Sequence, residues 1–154
     1  MDIDQPASSA IAIEWFRSKL NEALSKLNEH YDSFRMSDAL MTTYKLIFDE
    51  FCGRFLEIIK PGFEQPIDRK TYEASIELME DVLKLVHPLM PFITEDLWQR
   101  ITDRKVEDSI MLAQWPKGGE VNQELMDNFE LAYDAIIGIR NIRQTKNIAM
   151  KVEL

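Results

Sequence analysis

Apolar side chains recur at helical spacing along most of the chain. From Ile13 they fall at Phe16, Leu20, Ala23, Leu27, Tyr31 and Phe34, in the steps of three and four that mark an amphipathic helix. A first helix is predicted over 8–32, with Pro6 just ahead and Ser8 or Ser9 as its N-cap. A second stripe, Leu40, Tyr44, Ile47, Phe48, Phe51, Phe55, Ile58 and Ile59, predicts a helix over 37–59 with Ser37 as its cap. At 1.5 Å per residue it would be about 34 Å long. Pro61 cannot extend the hydrogen-bond ladder and Gly62 tolerates a positive φ, so this pair ends the helix.

After a polar loop at 63–67, Asp68 is the next cap. Tyr72, Ile76, Met79, Leu83, Val86 and Met90 then step 4-3-4-3-4, the most regular stripe in the chain. Pro88 ends this third helix near Val86. A shorter helix starts at Pro91 or Thr94 and carries Ile93, Leu97, Trp98 and Ile101. Residues 109–115 read as extended and 116–119 as a turn. Asn122 caps a last helix with Leu125, Phe129, Ala132, Ile136 and Ile139, running to about Lys146. Residues 148–154 alternate weakly and read as the first strand of a following region. Short connections favour antiparallel neighbours. The expected architecture is all-α, an antiparallel helical bundle of about five helices over 1–147, with 148–154 opening a C-terminal region.

Length and composition fit this reading. The chain has 154 residues, 45% of them hydrophobic, with Gly 5 and Pro 6. That is one domain of ordinary globular make-up, which argues against disorder or a collagen-like repeat. The first ten residues have no secretory signal pattern, and no apolar run is long enough to span a bilayer. A cytoplasmic protein is expected. Cys52 is the single cysteine, so no internal disulfide is possible. Among the apolar residues of the second helix it reads as a buried structural thiol.

Little enzymatic chemistry is visible. There is no glycine-rich phosphate loop and no metal-ligand spacing. His30 and His87 both read as helix-end residues that suit the dipole. The acid pairs Asp49-Glu50, Glu80-Asp81 and Glu95-Asp96 point apart on a helix and read as solvated faces rather than carboxylate dyads. No catalytic and no metal-binding residue is assigned.

Charge changes the picture more. The formal net charge is −9 and the isoelectric point near 4.7, which argues against a nucleic-acid binder. The charge is uneven, however. Residues 140–154 hold four basic side chains against one acidic, while residues 1–139 hold 14 against 26. Arg140, Arg143 and Lys146 share one side of the last helix. They read either as compensation of the helix dipole or as phosphate contacts.

Longer motifs then carry a resemblance. His87-Pro88-Leu89-Met90-Pro91-Phe92-Ile93-Thr94-Glu95-Asp96-Leu97-Trp98 resembles the HPxMPFITEELW segment of valyl-tRNA synthetases. Ser109-Ile110-Met111-Leu112-Ala113-Gln114-Trp115-Pro116 resembles the SIMLAxWP segment that follows it. Asp49-Glu50-Phe51-Cys52 with Glu57 and Lys60-Pro61 is similar to the family's DEFCDWYxE…KP stretch, and Ile139-Arg140-Asn141-Ile142-Arg143 to its IRNIR segment. Gly53-Arg54-Phe55 departs from the family's Asp-Trp-Tyr, and Phe48 stands where Trp is frequent. The catalytic HIGH-like and KMSKS-like signatures are absent.

The resemblance implies an excised anticodon-binding domain, cut in the C-terminal region at Leu154. Its partners would be valine tRNA and the rest of the synthetase chain, with its catalytic and editing domains, and no membrane. ATP with magnesium would belong to the missing catalytic domain, and this chain would hold no cofactor. Alternatives are a helical scaffold or interaction module without RNA contacts, or the equivalent domain of an isoleucyl or leucyl enzyme. With the first helix running away from the core, the turn at 33–36 and the corner at 87–94 share the distal pole. The expected tRNA contacts are Phe34, Arg35 and Pro91 for the anticodon loop, and Arg17, Arg140, Arg143 and Lys146 for phosphates. Phe34 could instead be a core or helix-cap contact.

Overall fold

The computed structural model describes residues 3–105 and 107–148, which form two compact units divided after Val121. Five helical rods are present among the described residues, and none is long and apolar enough to cross a membrane. The all-α expectation holds.

Helix α1 spans Ala7–Asp32. Ser8 and Ser9 lie inside it rather than capping it. Pro6 occupies the N-cap position, and its carbonyl accepts from the Ser9 and Ala10 amides at 3.0 and 3.1 Å. Ala12, Trp15, Phe16, Leu20, Ala23, Leu24 and Leu27 are all buried. This band is wider than the single stripe read from the sequence, because α1 packs on both its sequence neighbour and α4.

The second rod is α2 (Met36–Lys45), a π-helical stretch (Leu46–Phe55) and the short α3 (Leu56–Ile59). Arg35 holds its N-cap position, so Ser37 is not the cap. The buried row is Ala39, Thr43, Leu46, Phe51, Phe55 and Ile59. Its steps are 4-3-5-4-4, and the step of five is the extra residue that π turns insert. The expected stripe was therefore one face off in its first half. Leu40, Tyr44 and Phe48 are about half exposed. Cys52 is also exposed, which corrects the buried-thiol reading. A Cβ on Gly53 would stand 3.0 Å from the Phe48 carbonyl oxygen five residues earlier, so the missing side chain eases this wide turn. In the second half of the stretch, Phe16 stacks on Phe55 at 5.0 Å between centroids and meets Phe51 at 5.2 Å. Lys60 is extended ahead of Pro61, which stops the rod, and no glycine among the described residues has a positive φ. Gly62 therefore does not act as a left-handed cap.

Helix α4 (Arg69–Val86) is capped as expected: the Asp68 carboxylate accepts from the Thr71 amide at 2.8 Å. Burial alone would push this carboxyl up, but the backbone and side-chain donors of Thr71 hold it below its usual value. Two rows of α4 are buried or half-buried. Met79, Leu83 and Val86 belong to the predicted stripe, while Thr71, Leu78, Val82 and Leu85 form a second row it omitted.

Gln5 donates to the Thr71 hydroxyl at 3.1 Å near the starts of α1 and α4, and Arg17 grips Glu77 farther along both. The two helices therefore run the same way and end at one pole. On the other flank Lys19 faces Glu50 at 3.8 Å, while Glu29 and Arg35 pair beside the turn, so α2 runs back against α1. Helix α5 (Pro91–Ile101) begins with Pro91 in its first turn and folds back on α4. Residues 109–115 are not simply extended. Ile110–Leu112 form a 3₁₀ turn between extended Ser109 and Ala113.

In the second unit, α6 (Gln123–Thr145) is capped by Asn122, whose side chain accepts from the Leu125 amide at 3.0 Å. Its expected core stripe is not buried: Ala132, Ile136 and Ile139 are exposed. The strand expected over 148–154 falls, beyond Ile148, outside the described residues.

Candidate nucleic-acid interface

Two structures cap the shared pole of α1 and α4. The first is a corner built from the two longest motifs. Thr94 is buried. Its hydroxyl donates to the Met90 carbonyl at 2.8 Å and lies 2.7 Å from His87 Nδ1. With the hydroxyl proton engaged, the imidazole supplies the donor, so His87 ties the end of α4 to the start of α5. His87 stands at the C-cap of α4, the helix end expected for it, and this tie is an additional contact. Glu95 is not a solvated acid either. Its carboxylate accepts from Gln99 at 2.9 Å, the Ser109 hydroxyl at 2.7 Å and the Ile110 amide at 3.1 Å. These donors hold its carboxyl below the usual value. Ser109 Oγ in turn accepts from the Met111 amide at 3.2 Å, capping the 3₁₀ turn.

Trp98 completes the corner. It packs with Leu83 and Ile110, its indole N–H donates to the Asp108 carbonyl at 3.0 Å, and the Arg104 guanidinium lies 3.7 Å over its ring. Trp115 pins the following strap to the end of α1. Its indole donates to Asn28 at 3.1 Å and its ring meets Tyr31 edge-on at 6.1 Å. Farther along, Asn21 donates to the Glu120 carbonyl at 2.9 Å.

The second structure is the turn after α1. Phe34 has φ 55°. Its amide donates to the Tyr31 carbonyl at 3.1 Å, and the Arg35 amide to the His30 carbonyl at 2.8 Å. This is the paired bonding of a Schellman helix end with Phe34 at its left-handed position, where glycine is usual. Phe34 is 84% exposed, so the core alternative does not hold. Arg35 pairs with Glu29 and lies 3.9 Å from Asp38.

The family model for the anticodon-binding domain of tRNA ligase matches residues 14–154. The chain belongs to this family. It is 43% identical over 152 residues to the valine–tRNA ligase of Christiangramia forsetii and 43% identical over 149 residues to that of Parabacteroides distasonis. It is 45% identical over 153 residues to that of Phocaeicola vulgatus. These alignments cover 97–99% of this chain and 17–18% of each relative. The chain therefore spans about a sixth of the length of the ligases it matches.

Within this anticodon-binding domain the candidate contacts are dispersed. Phe34 and Arg35 sit together on the turn, and Pro91 is exposed on the corner at the same pole. Arg17 is committed elsewhere, its fork meeting Glu77 at 2.7 and 3.4 Å. That contact draws the Glu77 carboxyl down. Arg140 and Lys146 are exposed on α6 with no ion-pair partner among the described residues, and Arg143 is half-buried.

The sequence reading omitted two further residues of the pole. Phe92, 91% exposed beside Pro91, was read only as part of the motif. Lys45 lines a cleft with His30, Arg35, Asp38, Met41 and Thr42. Its signal was its place off the apolar stripe, which a π-shifted register obscured. Among the described residues no cluster of His, Cys, Asp and Glu could hold a metal ion.

Proposed function

We propose that this domain is part of a valine–tRNA ligase and holds the anticodon arm of valine tRNA, with the turn at 33–36 facing the bases. Phe34 carries this reading. A bulky residue at a left-handed backbone position costs about 1–2 kcal/mol, and a phenyl ring left in water forgoes its burial. Such strain persists where a function needs it. Anticodon loops present unstacked bases, which proteins read with aromatic faces and Arg planes. Phe34 and Arg35 offer both side by side, with Pro91 on the neighbouring corner.

Arg140, Arg143 and Lys146 are proposed phosphate contacts on α6. Arg17 would have to exchange Glu77 for phosphate and is the weakest of the set. Activation of valine, with ATP and magnesium, belongs to the rest of the ligase chain, with which this domain works in the cytoplasm. The acidic balance implies weak, salt-sensitive binding by the domain alone.

The test is Phe34→Gly, with valine tRNA binding followed by titration at low salt. Affinity falls about 5- to 150-fold, the equivalent of one lost base stack at about 1–3 kcal/mol. The unfolding midpoint rises, because the strain is relieved. Unchanged affinity overturns the placement of the site. A domain that retains the bundle as a scaffold alone would bind no tRNA with either residue.

A further inference from the structure

The cleft beside the turn has a charge pattern that the base platform does not use. It lies between the end of α1 and α2, and His30, Arg35, Asp38, Met41, Thr42 and Lys45 line it. Asp38, Met41, Thr42 and Lys45 fall at the three- and four-residue spacing that puts them on one face of α2. Lys45 has no carboxylate partner among the described residues, although the body of the chain is strongly acidic. Arg35 is held by Glu29 and, at 3.9 Å, by Asp38. Both pairs are largely solvent-exposed, and such pairs are weak enough to exchange for a phosphate.

The cleft does not stop at Lys45. Thr42 and Lys45 also line a second groove between the same helices, with Lys19, Lys26, Glu22 and Glu50. There the other two lysines are answered by acids: Lys26 by Glu22 at 2.7 Å and Lys19 by Glu50 at 3.8 Å. Among the described residues, Lys45 is thus the lysine of these grooves without an ion pair, where the two grooves meet.

We infer that this cleft seats the phosphodiester backbone of the RNA strand whose bases meet Phe34, with Lys45 neutralising one phosphate and Arg35 a second. The inference rests on the tRNA reading above and assigns a backbone track to the same site. It separates two roles that adjoining residues otherwise blur. Phe34 contributes stacking, which releases no counterions. Lys45 contributes charge neutralisation, which does.

The experiment measures the binding of valine tRNA to the 154-residue chain across a series of salt concentrations. Lys45→Gln weakens binding and reduces the slope of log K against log salt by about 0.7–1, the value of one phosphate contact. Lys45→Arg restores the slope. Lys70→Gln, at the opposite end of the bundle, leaves it unchanged. Phe34→Gly lowers affinity with the slope unaltered. An unaltered slope in Lys45→Gln, with Phe34→Gly still weakened, overturns the phosphate track and leaves the base platform standing. An equal fall in slope for Lys70→Gln also overturns it, since the effect would then be one of overall charge. Absence of tRNA binding by the unsubstituted chain at low salt overturns both readings.

Discussion

The corner at 87–115 and the turn at 33–36 cap the same pole, yet they use their distinctive residues in opposite ways. In the corner, His87, Glu95 and Trp98 are engaged internally, although Pro91 and Phe92 stay exposed. His87 meets Thr94, Glu95 gathers Ser109 and Ile110, and Trp98 is enclosed by Leu83, Ile110 and Arg104. In the turn, the backbone is strained to present a ring to solvent. Several of the residues that make the family recognisable therefore hold the domain together, whereas the residue with the strongest case for meeting a ligand carries no motif. A resemblance locates the parts that must interlock. Exposure combined with strain locates the part left for a partner.

Substitutions can break this contrast in order of size. Trp98→Ala should have the largest effect, a loss of about 3–5 kcal/mol in denaturant unfolding, because it empties the corner and leaves the Asp108 carbonyl only its second donor, Gln99. A loss below about 1 kcal/mol would mean that the corner is not a structural lock. Glu95→Ala should cost about 1–3 kcal/mol by leaving the Ser109 hydroxyl and Ile110 amide unanswered.

The same contacts predict a dependence on acid. Glu95, Glu77 and Asp68 are all held below their usual values, so the folded state resists protonation more than the unfolded chain does. Their stabilisation is complete above about pH 4.5 and declines as pH falls through the lowered values. The unfolding midpoint should drop over that range, and Glu95→Ala should flatten the drop. A midpoint that does not change below pH 4.5 would contradict these contacts.

The turn should respond with the opposite sign. Phe34→Gly should stabilise the fold by about 1 kcal/mol, a rise of about 2–4 °C in the unfolding midpoint. A fall would show the ring to be packed. The smallest effect belongs to the end of α6, where Asn147 sits at φ 52° in the same bonding pattern. Asparagine is tolerated there, so Asn147→Gly should change stability by only a few tenths of a kcal/mol. The difference between the two glycine substitutions isolates the strain specific to Phe34.

Much of the fold was legible in the residues. Asp68 and Asn122 cap the helices they were expected to cap, Pro91 opens α5, and the rods end where proline and the stripes indicated. Local hydrogen bonding is enough to dictate such boundaries. The candidate site was less legible. Arg17, read as a phosphate contact, has Glu77 from a distant part of the chain, and no spacing rule pairs residues sixty apart. Glu95 looked like a surface acid because its donors come from a loop fourteen and fifteen residues away. Ser8, Ser9 and Ser37 looked like caps, but the neighbouring backbone had already settled where each helix starts.

The sequence alone determined that the chain is a set of helical rods with defined ends, and its motifs pointed to the family to which it belongs. Only the tertiary structure decided which faces of those rods are covered. Periodicity marks an apolar stripe but assumes one regular turn and one neighbour. The π turns in the second rod add a residue and move Leu40, Tyr44, Phe48 and Cys52 out of the core, while α1 and α4 bury two rows because each lies between partners. The same contacts between distant segments enclosed Thr94 and Trp98 of the corner and left Phe34 outside.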